Sequence, residues 1–504
     1  MQKVASAPGE EEHGSDGWPW SGSGRKKEQG RPASGRMLNV PSSMLLSVVV
    51  RVEKLGYALR RAERSLLSAA TNSAQTNARH PAIMPPPTLV VCELVHEGPV
   101  SVVSRATLDG AVVAVKSAPS RREFSRAPHD IIKEYRILSS ISHPNVISVL
   151  GSCADSEQVE FSFWMPYVPS TLDCLLRSPR FSPYEYQNGT WIRSDSYATR
   201  FTVLTKSVIW QVLSALAFLH DDGRKIAHRD IKPSNLLLTT EGCVKLIDFG
   251  VAWQHTENKP SFGLRELWPE KHGMYFQVAT GPYKPPELLF GPSSYDAFAV
   301  DMWSLGAMFA SFFTSLRLSG EGSDVEDDCL DDQSETRHLP FVVPQPPGPD
   351  MVWSRDTLFD ADRGEIGLAW SIFKVRGTPT KANWPTFDDL PDANKLLFQS
   401  AEAVELGSLL PHIAPDEASS FETTSHFIER EPQPAVLDLL HRLLVYPESR
   451  RLKSADALKH PWFIAPPSFL LPGGDHPGGS TATYMYEGET LDQLLAGLLQ
   501  LADE

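Results

Sequence analysis

Positive charge is in short supply in this chain. Lys and Arg number 47 against 62 Asp and Glu, a formal net charge of −15 over 504 residues. A balance of that sign argues against a nucleic acid or an anionic membrane surface as partner. Cysteine is also scarce. Cys92, Cys153, Cys174, Cys243 and Cys329 show no paired spacing, which fits a reduced intracellular setting, nucleus or cytoplasm. The longest apolar runs are far too short to cross a bilayer, and the first residues, with Glu10, Glu11 and Glu12, show no secretory signal. One further shortage is local. HEGPVSVVSRA, residues 96–106, stands just before AVVAVK, residues 111–116. A phosphate-wrapping loop at such a place normally carries three glycines, and this one has only Gly98.

What is present falls into four stretches. Residues 1–84 form an extension. Its Gly/Ser/charge-rich part, 14–36, is expected to be disordered, and 44–67 has the pattern of an amphipathic helix with a basic face. Short β-branched runs dominate 85–168 and predict strands. From about 200 to 465 helical spacing takes over. Val208, Val212, Leu216 and Leu219 predict one helix ended by Gly223. Three segments, 178–200, 254–272 and 315–355, read as inserts; the third, acidic and proline-rich, is expected to be a solvated loop. Residues 466–504 form a tail.

The chemistry concentrates in HRDIKPSN, 228–235, and DFG, 248–250. Phosphoryl transfer to a hydroxyl needs a carboxylate near the nucleophile, a cation near the transferred group and two metal ligands. Asp230, Lys232, Asn235 and Asp248 supply that set. The two aspartates are 248 − 230 = 18 residues apart, room for a hairpin of the LLL and VKLI runs that brings both into one cleft. In AVVAVK, Ala114 and Lys116 share one face of a strand. Glu134, in PHDIIKE, lies 134 − 116 = 18 residues further on.

Together these residues resemble the signature set of the eukaryotic protein kinases over about 88–465, in particular the cyclin-dependent kinase group. The resemblance implies an α+β, bilobal fold with a β-rich N-lobe and a helical C-lobe. It implies ATP and Mg2+ as cofactors and a protein substrate. Lys116, paired with Glu134, would hold phosphates; Asp230 and Lys232 would serve the transferred group; Asn235 and Asp248 would hold metal. Val95, His96, Gly98, Val103, Ala114, Val168 and Leu237 would line the nucleotide site, with Met165 as gatekeeper. YKPPELLFG, 283–291, resembles the family's APE segment, so Glu287 is expected to meet Arg451 in a buried pair. Asp301 of DMWSLG would brace the catalytic loop.

The group is carried by IFKVRGTPTKANWP, 372–385. PHDIIKE stands where these kinases carry their cyclin-contact helix and matches it poorly. That mismatch and the reduced glycine loop resemble the fungal single-subunit kinases that activate cyclin-dependent kinases, whose substrates are activation loops. Two other readings stay open: a conventional cyclin-bound kinase, and a pseudokinase scaffold. Proline-directed relatives carry an arginine at Lys284 and usually a valine at Ala279, so proline direction is open too. A phosphorylated activation loop would be gathered in relatives by three arginines. Here those positions are Lys133, Arg229 and Trp253, and the place of the relatives' phosphorylated threonine is held by Tyr275. The loop should therefore be ordered without a phosphate, with Tyr275 packing near Trp253 as one way.

Overall fold

The computed structural model describes residues 89–155, 159–255, 265–271, 273–320, 336–344, 350–415, 431–474 and 485–499. The expected extension, including the helical pattern at 44–67, lies outside these residues.

Five antiparallel strands build the first lobe: β1 (Leu89–Glu97), β2 (Val102–Leu108), β3 (Ala111–Pro119), β4 (Gly151–Asp155) and β5 (Glu160–Pro166), in the order β1-β2-β3-β5-β4. Side-chain alternation sorts β3. Val113 and Val115 join Val91 and Ala106 in a small outer cluster. Ala114 and Lys116 face the other way, opposite Met165 and Phe163 of β5. Helix α1 (Ile131–Ser140) packs on that inner face through Ile131, Ile132, Ile137 and Leu138. Asp130 starts it, its carboxylate accepting from the N–H groups of Ile132 and Lys133 at 3.0 Å each.

The second lobe is helical. Its central helix, α2 (Asp195–His220), buries Val208, Val212, Leu216 and Leu219 as their spacing predicts. By length and hydropathy α2 would pass as a membrane span, yet it is mostly buried inside the lobe. It begins five residues before the expected start and ends at His220, before Gly223. The chain turn after it uses Lys225 at φ 51° rather than a glycine. Helix α3 (Ala297–Ala310) is apolar on every side apart from Asp301 and Ser304 and is almost wholly buried.

The inserts are more ordered than expected. Within 178–200 lies a hairpin, Tyr184–Gln187 with Thr190–Arg193. Leu316–Gly320 pairs with Met351–Arg355 and with Phe341–Val342, so the flanks of the third insert form a small sheet. Trp191 stacks on Phe341 at 4.1 Å, sealing the two inserts together. The acidic run 321–335 lies outside the described residues. Part of the tail packs on the second lobe. Phe469, Leu470 and Leu471 enter the main core, as does Leu491–Leu499, whose Leu491, Leu494, Leu495 and Leu498 fall on one helical face.

Candidate active site

The hairpin expected between the aspartates forms: Leu236–Leu238 pairs with Val244–Leu246. It carries Asn235 at one end and Asp248 just past the other. Both Arg229 and Asp248 adopt left-handed backbone, at φ 64° each, and such strain in non-glycine residues is kept where surrounding contacts over-determine it. Asp301 is one such contact. It is fully buried and accepts from the backbone N–H of His228 at 2.8 Å and of Arg229 at 2.6 Å. His228 bonds the carbonyl of Ile247 through Nε2 at 2.8 Å and packs edge-on against Phe249. The two halves of the site are thereby clamped to each other.

Lys116 reaches from β3 into this cleft. Its Nζ is 2.8 Å from Glu134 and 2.8 Å from Asp248 Oδ1. Burial alone would favour losing the proton, but the two carboxylates outweigh it and hold the ammonium above the usual lysine pKa. Burial also works against the charge on Asp248, yet Lys116 holds that carboxyl well below the usual range. For Glu134 burial is the larger influence and pushes it upward against the pull of Lys116. Glu134 also accepts from the N–H of Phe249 at 3.3 Å.

Asp230 is buried at the other side of the cleft. Asn235 Nδ2 donates to its carbonyl at 2.8 Å and to Oδ2 at 3.0 Å. Lys232 Nζ lies 2.9 Å from Oδ2. Thr280 donates its hydroxyl to Oδ1 at 2.6 Å and accepts from Lys232 at 2.9 Å. The carboxylate thus already receives an alcohol proton donor in this geometry. Thr280 plays a part that the motif reading did not assign to it.

Asn235 spends its amide N–H groups on Asp230, which leaves its side-chain carbonyl oxygen to serve a metal. Among the described residues no group of three or more His, Cys, Asp or Glu could cage a metal. One carboxylate and one amide suit Mg2+, which keeps waters and takes further oxygens from substrate phosphates.

The nucleotide-lining candidates divide. Val103, Ala114 and Met165 belong to the same apolar cluster as Phe163 and Phe249. Gly98 and Ser101 close the four-residue turn between β1 and β2, with Gly98 N–H donating to the Ser101 carbonyl at 2.9 Å. His96 leans over that turn, and a Cβ on Gly98 would lie 3.0 Å from its ring. Val95 is half-exposed at an irregularity of the β1–β2 register. Val168 lies in the connector after β5, and Leu237 is half-buried opposite Thr171.

Elsewhere, Arg451 holds Glu287 at 2.8 and 3.2 Å, both buried. Ala279 takes φ 62°, and Lys284 pairs with Glu365 at 2.6 Å. The Tyr275–Trp253 contact does not form. Trp253 packs on Phe298 and His255, while Tyr275 joins a cluster with Val251, Val278, Leu288 and Val300. Apolar packing with Val251, Val278, Leu288 and Val300 holds the Tyr275 ring instead.

A family model, the protein kinase domain, matches residues 90–463. Cell division control protein 2 homolog 3 of Trypanosoma brucei brucei is 29% identical over 377 residues, 74% of this chain and 90% of that protein. Cyclin-dependent kinase 20 of Danio rerio is 26% identical over 359 residues, 71% and 77% of the two chains. Serine/threonine-protein kinase bur1 of Emericella nidulans is 26% identical over 376 residues, 73% of this chain and 54% of that one. A solved structure, the yeast RNA Pol II CTD kinase CTDK-1 complex, is 23% identical with a TM-score of 0.48, covering 78% of this chain and 96% of that one. With a clamped Asp230 and a Lys116–Glu134 pair in one cleft, and a domain match spanning most of its length, the chain belongs to the protein kinase family, in its cyclin-dependent kinase group.

Proposed function

We propose that the chain is a working serine/threonine kinase, in the nucleus or cytoplasm, that moves the terminal phosphoryl group of ATP to protein hydroxyls. The observation that carries this is Lys116 bonded to Glu134 and Asp248 at once, since a scaffold has no use for a buried lysine held in register between a buried and a half-buried carboxylate. Kinases of this family use ATP with a divalent metal. Asn235 and Asp248 would hold the metal, which neutralises phosphate charge. Asp230 orients the hydroxyl and accepts its proton, and Lys232 offsets the negative charge there. Val103, Ala114 and Leu237 would give the adenine its apolar walls, and Val168 its backbone partners.

The finer reading is a single-subunit kinase whose substrates are activation loops of cyclin-dependent kinases. The poorly matching cyclin-contact helix and the single-glycine loop support it. The relatives named for cyclin dependence favour a second reading, a cyclin-bound enzyme. The test is to incubate the purified chain alone with ATP, Mg2+ and an unphosphorylated cyclin-dependent kinase, and to map phosphate by mass spectrometry. Phosphate on the activation-loop threonine supports the first reading. Activity that appears only with an added cyclin supports the second.

A further inference from the structure

Arg229 immediately precedes Asp230, and its side chain is wholly buried. A buried guanidinium needs an opposite charge. It finds one in Glu270, which accepts from its two terminal nitrogens at 2.9 and 2.5 Å. This is a two-pronged, charge-assisted grip on a side chain that is itself only 6% exposed. Lys133, also buried, places its ammonium 3.7 Å from the same carboxylate. Glu270 further accepts the N–H of Tyr275 at 3.0 Å. Arg229 meanwhile donates through Nε to the carbonyl of Val251 at 2.8 Å and through Nη1 to the hydroxyl of Tyr295 at 2.8 Å. Tyr295 in turn donates to the carbonyl of Tyr275 at 2.6 Å.

One carboxylate therefore joins three places directly, and a fourth, Val251, through Arg229, and all must be correct together. Arg229 is next to Asp230. Lys133 is next to Glu134, the partner of Lys116. Val251 directly follows the DFG segment, and Tyr275 leads to Thr280. The residues just before Glu270 extend the hold along the start of α1. Glu266 pairs with Arg136, and Arg122 bonds the carbonyl of Leu267. Trp268 donates its backbone N–H to the helix-capping Asp130 at 3.0 Å and its indole N–H to Ser125 at 3.2 Å. Arg122 lies over the Trp268 ring at 5.3 Å. Asp130, the capping residue, thus receives donors from both its own helix and this strap.

We propose that Glu270 is a positioning residue that does the work of an activation-loop phosphate, its fixed carboxylate holding the catalytic loop and α1 together so that no phosphate on that loop is required. The inference rests on the reading of the chain as an active kinase. Two buried cations, Arg229 and Lys133, face one buried anion that is encoded rather than added. Losing one charged partner of such a group shifts the balance between assembled and loosened site by roughly ten- to a hundredfold.

The test uses the full chain made in bacteria, treated with phosphatase and verified free of phosphate by mass spectrometry. Wild type is expected to be active in that state. Glu270→Gln is expected to lower kcat roughly ten- to a hundredfold with little change in the KM for ATP, and Glu270→Asp to recover part of the loss. If Glu270→Gln melts well below wild type, Glu270→Asp decides: a reduced kcat at unchanged Tm supports the assignment, and an unchanged kcat overturns it. Full kcat in folded Glu270→Gln overturns it as well, as does a wild-type chain that works only after gaining a loop phosphate. A wild-type chain inactive in every state overturns the kinase reading itself, which separates the two failures.

Discussion

Lys116 and Glu134 meet at 2.8 Å across the gap between β3 and α1. The contact reports on the position of the whole helix, because Glu134 is fixed in its first turns by the Asp130 cap. It also fixes where the ammonium points. Lys116→Arg should leave the fold intact and lower phosphoryl transfer by on the order of a hundredfold or more, the scale of removing one preorganised charge donor. A steady-state assay at saturating ATP checks this. Wild-type turnover in the variant would remove Lys116 from the machinery.

His96 is the side chain that crowds the glycine-poor turn, with its ring close to Gly98. Replacing it together with Ser101 by glycine should tighten ATP binding, since glycine lets backbone approach a ligand closely. A lower KM for ATP with a modest change in kcat is the expected result of a titration of activity against ATP. A large loss of activity would show that the two side chains make useful contacts of their own.

Arg451 and Glu287 are both buried in the second lobe, far along the chain from the cleft residues. Truncating one leaves the other charge without its partner. Glu287→Ala should destabilise the protein by about 3–5 kcal/mol, read as a lowered denaturation midpoint in urea. An unchanged midpoint would mean that Arg451 is satisfied by the carbonyls of Ala299, Val445 and Tyr446 alone.

Three partly or fully buried histidines predict sensitivity to acid. Burial, then the nearby Arg355, holds His412 well below its usual value. Burial and Arg376 do the same for His441, and burial brings His143 down to about 4. In the unfolded chain such groups titrate near 6.5. Below that pH the unfolded state binds protons that the folded state refuses. Their stability contribution is therefore present above about 6.5 and is lost as pH falls toward the folded values. Glu134 and Glu448, both raised to about 7 by burial, act the other way over the same range, so the histidines are read by difference: between pH 7 and pH 5 the Tm of His441→Gln should fall less than that of wild type. Equal pH dependence in the two proteins would contradict the assignment.

Residues whose role depends on local order were readable in sequence. HRDIKPSN and DFG specify their own turns and hairpin, so Asp230, Asn235 and Asp248 were placed beforehand, and the alternation of β3 put Lys116 on the inner face. Glu270 was not. It lies within 254–272, where no periodicity marks a functional residue, and its importance comes from Arg229 and Lys133, which are distant in sequence. The available signal was indirect: a buried arginine beside Asp230 must find an anion somewhere. The tail helix was missed for a different reason. Its leucines have helical spacing, but only a preformed groove in the second lobe makes a nine-residue helix worth forming.

The proposed kinase activity rests on Asp230 serving the transfer of phosphate to a protein hydroxyl. It is tested most directly by following phosphate incorporation from ATP into a protein substrate with the wild-type chain and with Asp230→Asn, both shown to be folded and to bind ATP. Asn preserves the shape of the site but cannot accept the proton, so the account predicts measurable transfer by wild type and a loss of roughly 10² to 10⁴ in the variant. Equal rates in the two proteins, or no transfer by either, would contradict it.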